Sequence, residues 1–219
     1  SDGLVAHELA HMWWGDLVTC REWWHAGLNE GFASYFEVLF QEYDKGADEA
    51  RKEIHDIQNM MVISDVGNRR RATVSSFYAK PIELFDRHIY GKGACILHML
   101  RNYLGDELFW RTMNHYIHKH AFGNVETNDF KIAIEEATGY NLSWFFDQWV
   151  YKPGFPEFDV SWSWDSLSQQ VSLSVKQTQK IDSLTGLFTV PLEIELWSND
   201  VPESHRITIK NQTDTFTFS

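Results

Sequence analysis

Cysteine is scarce: Cys20 and Cys95 are the two in 219 residues, and they stand in no metal-ligand spacing. A disulfide-dense mini-protein is thereby excluded, while the redox compartment stays open. Basic side chains are also few, 19 Lys and Arg against 31 Asp and Glu, for a formal net charge of −12. A phosphate backbone is bound by the opposite sign of field, so nucleic acid is not an expected partner. No window holds the ~18 consecutive apolar residues of a membrane-spanning helix, and the first residues lack the basic, apolar, small-residue order of a secretory leader. The chain reads as soluble, with no transmembrane segment. What is present is a core-forming composition, 43% hydrophobic and 15% aromatic, which excludes disorder for most of the chain.

Hydrophobic periodicity divides the chain in two. From Leu4 to about Lys152 apolar residues recur at helical spacing, as in the stretches from Gly31 to Glu42, Tyr90 to Leu100 and Glu107 to His118. Thr127-Asn-Asp-Phe predicts a helix start that Gly139 ends, and Asn141-Leu-Ser another, which Pro153-Gly154 stops because proline cannot extend it. Seven or eight helices are expected. After Pro156 the period drops to two, in Val160-Ser-Trp-Ser-Trp, Val171-Ser-Leu-Ser-Val, Leu192-Glu-Ile-Glu-Leu-Trp, Arg206-Ile-Thr-Ile-Lys and Thr213 to Phe218. Such alternation predicts half-buried strands and a small antiparallel β-sandwich. The Lys152-Pro153-Gly154-Phe155-Pro156 elbow sets the expected domains at residues 1–153 and 154–219. Nine of the ten histidines fall in the helical part. The strongest motif begins six residues from the first residue, and the last strand still alternates at Thr217-Phe218-Ser219. The helical domain is therefore expected to be N-terminally incomplete and the sandwich C-terminally truncated.

That motif is His7-Glu8-Leu9-Ala10-His11. Two histidines four apart on a helix point about 40° from one another, so both imidazoles reach one ion from one face. Glu8 stands beside that ion without having to bind it, the place for a base acting on water. Two neutral imidazoles and one carboxylate suit a single Zn2+ with an open fourth position. The best third ligand is Glu30 of Leu28-Asn-Glu-Gly-Phe-Ala-Ser-Tyr-Phe-Glu, 19 positions after His11. That spacing allows the first helix to end after Gly15 and a second to return past the ion. Glu37 lies two turns further along the same face as Glu30, within reach of the second ring N–H of a ligand histidine.

The segments His7-Glu-Leu-Ala-His-Met-Trp-Trp-Gly-Asp-Leu-Val-Thr and Leu28-Asn-Glu-Gly-Phe-Ala-Ser-Tyr-Phe-Glu resemble the zinc gluzincins of the aminopeptidase N family, which includes the leukotriene hydrolase relatives. Trp149-Val-Tyr-Lys-Pro-Gly-Phe-Pro and Val175-Lys-Gln-Thr-Gln resemble the opening of that family's β-sandwich. The resemblance implies an α+β multidomain protein, a mainly helical thermolysin-like catalytic domain followed by the sandwich. It implies that His7, His11 and Glu30 hold one zinc ion and that Glu8 is general base and acid. Position alone reads Tyr90 as a helix-start aromatic packed on the core. The family match makes it the tyrosine whose hydroxyl steadies the tetrahedral intermediate. A peptide is then the substrate, cleaved at its amino-terminal residue. An endopeptidase or epoxide hydrolase on the same core, or a silent scaffold, is the alternative.

The family recognises the substrate amine with an upstream Gly-x-Met-Glu-Asn segment, which this chain does not contain, so substrate-binding residues, oligomeric state and location are left open. Gly27 stands where many members carry tryptophan, which predicts a wider wall behind the metal. Trp13, Trp14, Trp23 and Trp24 are expected to pack in the core. His115, His118 and His120 read as a solvated helix face, Arg69-Arg70-Arg71 after Gly67-Asn68 as a solvated turn, and both cysteines as small buried apolar residues.

Overall fold

The computed structural model describes residues 2–66, 70–198 and 200–219. The chain divides into two compact units, Ser1–Pro153 and Gly154–Ser219. In the first, α1 (Asp2–Ala10) leads through a short strand, β1 (Val18–Cys20), and a 3-10 turn at Trp23–His25 to α2 (Gly27–Lys45). There follow α3 (Ala47–Val66), a second 3-10 turn at Pro81–Leu84, α4 (Gly91–Leu104), α5 (Asp106–His120), β2 (Gly123–Val125), α6 (Thr127–Thr138) and α7 (Ser143–Trp149). Among the described residues no helix is long and apolar enough to cross a membrane.

The long helix α2 is the hub, packed on α1, α3 and α4. Its apolar positions recur every three or four residues, so Leu28, Phe32, Tyr35 and Val38 are all buried. Trp14, 1% exposed, packs its ring on Phe32 at 4.6 Å and Phe36 at 5.2 Å, and Phe32 meets Phe130 edge to face at 5.0 Å. Rings of this size contribute the largest buried areas in a core. They tie the α1–α2 connection to α6. The parallel pair β1–β2, with Val18 opposite Gly123 and Cys20 opposite Val125, links the same connection to the segment after α5. Strands of three residues are too short to show alternation, which is why periodicity missed them.

The predicted helix boundaries hold with small shifts. α6 starts at Thr127 and ends where Gly139 takes a left-handed conformation (φ 76°), which a glycine adopts without steric cost. Its cap is Glu126, one residue earlier than expected: the Glu126 N–H donates to Asp129 Oδ2 at 2.7 Å while the Glu126 carboxylate accepts the Asp129 N–H. Asn141 Oδ1 accepts the Ser143 N–H at 2.9 Å ahead of α7, which stops before Pro153.

Other expectations are corrected. The first helix ends at Ala10, not after Gly15, because the backbone turns at Gly15 (φ 150°) and the Val18 N–H bonds back to the Trp13 carbonyl. Adjacent residues in that reversal and in the 3-10 turn face different ways, so Trp14 alone of the four tryptophans is core. Trp13 and Trp23 are exposed and Trp24 half-buried. Cys95 is buried, but Cys20 at the end of β1 is only half-buried. Arg71 is not part of a solvated turn: its guanidinium binds Asp86 and the carbonyls of Ala72 and Leu84. Gly67, Asn68 and Arg69 lie outside the described residues.

In the second unit β3 (Phe158–Asp165), β4 (Gln170–Gln177) and β7 (Thr213–Phe218) form one antiparallel sheet in the order β3-β4-β7. β5 (Val190–Ser198) and β6 (Val201–Ile209) form a second, antiparallel hairpin sheet. Each of the five alternating segments falls in one of these strands, the one from Arg206 running a single residue past β6. Val175, Phe188, Val190, Ile207 and Ile209 are its buried apolar residues.

Candidate metal centre

α1 packs along α2, with Gly3 beside Glu37 and Gln41 and His7 beside Glu30. His7 lies in the last turn of α1, and His11 follows one turn later, just past its end; the rings stand edge to face, 5.0 Å apart. Glu30 sits in the first turn of α2, where the partial positive charge of a helix N-terminus favours a carboxylate. Its Oε2 lies 3.4 Å from His7 Nε2 and 3.2 Å from His11 Nε2. One ligand atom from each of the three lies within 4.8 Å of the others, the only such set of three or more His, Cys, Asp or Glu among the described residues.

The tautomer of His11 follows from its partner. Nδ1 is 2.9 Å from the Trp14 carbonyl oxygen. A carbonyl only accepts, so Nδ1 carries a proton, and Nε2, which faces Glu30, is the nitrogen that would bind a cation. Trp14 is pinned in the aromatic core, and its carbonyl therefore orients the imidazole. On His7, Nδ1 is 3.8 Å from Glu37 Oε2. The Glu30 hydrogen bond, opposed by burial and aided by the Glu37 and Glu8 charges, raises the His7 pKa above its usual value. Burial, with the Glu53 charge behind it, raises that of Glu37.

Tyr90 is the residue immediately ahead of α4, and its ring lies nearly parallel to that of His7 with centroids 6.1 Å apart. Burial and the carboxylates of Glu30 and Glu8 push its hydroxyl up to about 12, so at neutral pH it is a donor. It comes close to Glu30 because α4 crosses α2 at Gly93 and Gly31.

An open cleft of about 430 Å³ covers the cluster, and all six predicted residues, His7, Glu8, His11, Glu30, Glu37 and Tyr90, line it. Glu8 is exposed there, free to meet a solvent molecule. Leu4 and Ser34 line it too. Neither was singled out from the sequence, although Leu4 is three residues before His7 and Ser34 four after Glu30, the spacings that share a helix face. Gly27 does not line the cleft; a side chain there would meet Thr73 Cγ2 at 3.1 Å, beside a separate apolar cavity bordered by Phe32 and Leu97. The α5 histidines stay apart from the cleft: His115 Nε2 pairs with Glu136 at 2.7 Å, His118 is exposed, and His120 is half-buried against Tyr116.

Residues 2–149 match the family model for the peptidase family M1 domain. Glutamyl aminopeptidase of Bos taurus is 31% identical over 218 residues, which cover 97% of this chain and 22% of the relative. Probable aminopeptidase 1 of Saccharolobus solfataricus is 32% identical over 202 residues, covering 88% of this chain and 25% of the relative. The crystal structure of Legionella pneumophila aminopeptidase A in complex with aspartic acid superposes with a TM-score of 0.82 at 25% identity, covering 99% of this chain and 24% of that one. The chain thus spans about a quarter of the length of the relatives it matches.

Proposed function

Because this chain belongs to peptidase family M1, we propose that it carries the catalytic centre of a zinc-dependent aminopeptidase, which removes amino-terminal residues from peptides. The observation that carries the reading is the convergence of His7, His11 and Glu30 ligand atoms within 4.8 Å, in one cleft with Glu8 and Tyr90.

Two imidazole nitrogens and a carboxylate oxygen are the donor set that suits Zn2+ with one position left open. Bound there, zinc supplies Lewis acidity that polarises a carbonyl and makes water more acidic. Glu8 takes the proton from the attacking water and delivers it to the leaving amine. The Tyr90 hydroxyl donates a hydrogen bond to the carbonyl oxygen as negative charge builds on it, stabilisation that is greatest in the transition state. Glu37, whose carboxylate lies 3.8 Å from His7 Nδ1, stands where it would accept that N–H and favour the tautomer that offers Nε2 to the metal.

Glu8→Gln in the whole protein is the direct test. Zinc content by atomic absorption stays at the parental level, and turnover of amino-acid amides falls by at least about 100-fold, the usual contribution of general acid-base catalysis. Parental turnover in that variant rules the mechanism out. Cleavage of free but not N-acetylated peptides separates an aminopeptidase from an endopeptidase on the same core.

A further inference from the structure

Two positions before Tyr90, His88 is 1% exposed and bonded at both ring nitrogens. Nε2 lies 3.0 Å from Asp65 Oδ1, on α3, and Nδ1 lies 3.1 Å from Asp86 Oδ1. A carboxylate oxygen accepts, so the ring has an acceptor at each nitrogen and the pair of bonds favours the doubly protonated form. Burial opposes that charge, and the bonds to Asp65 and Asp86 outweigh it, raising the His88 pKa. Asp86 is gripped from its other side by Arg71, at 2.6 Å to Oδ1 and 3.1 Å to Oδ2. Arg71 in turn donates to the Leu84 and Ala72 carbonyls, each at 2.8 Å.

The turn built on this network is the one that delivers Tyr90. Asp86 Oδ1 accepts the His88 backbone N–H at 2.9 Å, and the Asp86 carbonyl accepts the N–H of Ile89 at 3.2 Å and of Tyr90 at 3.4 Å. None of Asp65, Arg71, Asp86 or His88 lines the cleft. Apolar residues often stabilise such a buried position as well as an ion network does, whereas the bonds of this network also fix the geometry of the turn. Resting on the role of Tyr90 given above, we propose that His88 is a positioning residue: clamped between Asp65 and Asp86, it fixes the turn that aims the Tyr90 hydroxyl at the substrate carbonyl. A hydroxyl displaced by an ångström no longer meets the developing charge, although ground-state binding is unchanged.

The test is a double-mutant cycle in the whole zinc-loaded protein, with His88→Gln, Tyr90→Phe and the pair assayed on an amino-acid amide. His88→Gln is expected to lower kcat about 10-fold or more with KM within about twofold, the pattern of an interaction made in the transition state. In the Tyr90→Phe background the same change is expected to cost less than about threefold, because its target is gone. Equal losses in the two backgrounds overturn the proposal while leaving the zinc peptidase reading intact. Tyr90→Phe at parental kcat overturns the role of Tyr90 and the proposal together, and Glu8→Gln then reports separately on the enzyme. If His88→Gln does not fold, Asp65→Asn, which keeps the shape and removes one charge, is carried through the same cycle with the same two readings.

Discussion

Gly31 of α2 and Gly93 of α4 face one another at the closest point of the helix crossing. A Cβ on Gly31 would lie 2.8 Å from the Gly93 Cα and 2.9 Å from the Ile89 carbonyl oxygen; one on Gly93 would lie 2.7 Å from the Gly31 Cα. Backbone meets backbone here, so no flexible side chain can yield. Gly31 directly follows Glu30 and Gly93 is three residues past Tyr90, so the crossing sets the separation of a proposed ligand from the proposed oxyanion donor.

Gly31→Ala is accordingly expected to push the two helices apart. Overpacking of a close contact costs about 1–3 kcal/mol, visible as a lower denaturant midpoint. A larger proportional loss is expected in kcat than in zinc affinity, since the proposed ligands His7, His11 and Glu30 all lie outside α4. Unchanged kcat in a destabilised variant would show that Tyr90 tolerates the shift.

Glu37 lies 3.8 Å from the outer nitrogen of His7. Partners of ligand imidazoles typically change metal affinity by about 10- to 100-fold. Glu37→Ala should therefore weaken zinc in a chelator competition by about that factor, with little change in unfolding of the metal-free protein. Equal zinc affinity in parent and variant removes Glu37 from the centre.

Asp86 gives the network an acid limb. Burial works against its ionisation, but hydrogen bonds from His88 and Arg71 hold its pKa down at about 2, against an ordinary 3.8. A group with a depressed folded pKa stabilises the fold above its unfolded value, and that stability is lost as pH falls through the folded one. The depression amounts to about 2 kcal/mol, present above about pH 4 and gone by about pH 2. His88 has the opposite sign: its raised pKa gives stability that is complete below about 6.5 and lost as pH rises through the folded value. The stability gap between the parent and Asp86→Asn should thus close toward pH 2, and the gap for His88→Gln toward alkaline pH, in denaturant titrations across the range. A gap for Asp86→Asn that is flat between pH 2 and 7 contradicts this.

Gln177, at the end of β4, is 1% exposed. Its amide nitrogen donates to the carbonyls of Phe188 (2.9 Å) and Asn211 (3.1 Å), and its oxygen accepts from the Phe188 N–H (2.9 Å) and from Gln179 Nε2 (2.9 Å). Gln177→Leu removes all four of these bonds at a buried position and should cost about 3 kcal/mol. Thermal unfolding followed by calorimetry reads that loss, while an unchanged midpoint means that solvent replaces the amide.

The helix and strand assignments were legible because each rests on a local period: 3.6 in the segment around Phe32 and Tyr35, two in Val171-Ser-Leu-Ser-Val. What escaped was non-local or too short. β1 and β2 have three residues each and pair with partners about 105 positions away, so no pattern within either announces them. Arg71 looked solvated because a run of like charges ordinarily is, and its partner Asp86 is 15 residues on. Trp13 and Trp23 looked buried because composition says nothing of direction.

By itself the sequence determined that His7, Glu8 and His11 share one helical neighbourhood and that the chain changes period near Pro156, since both follow from backbone geometry over a few residues. Only the tertiary structure decided that Glu30 and Tyr90, 60 positions apart, face the same cleft, and that a buried His88 stands behind one of them. That decision lies in the contact of Gly31 with Gly93, where two backbones approach more closely than any side chain allows, a distance no local pattern encodes.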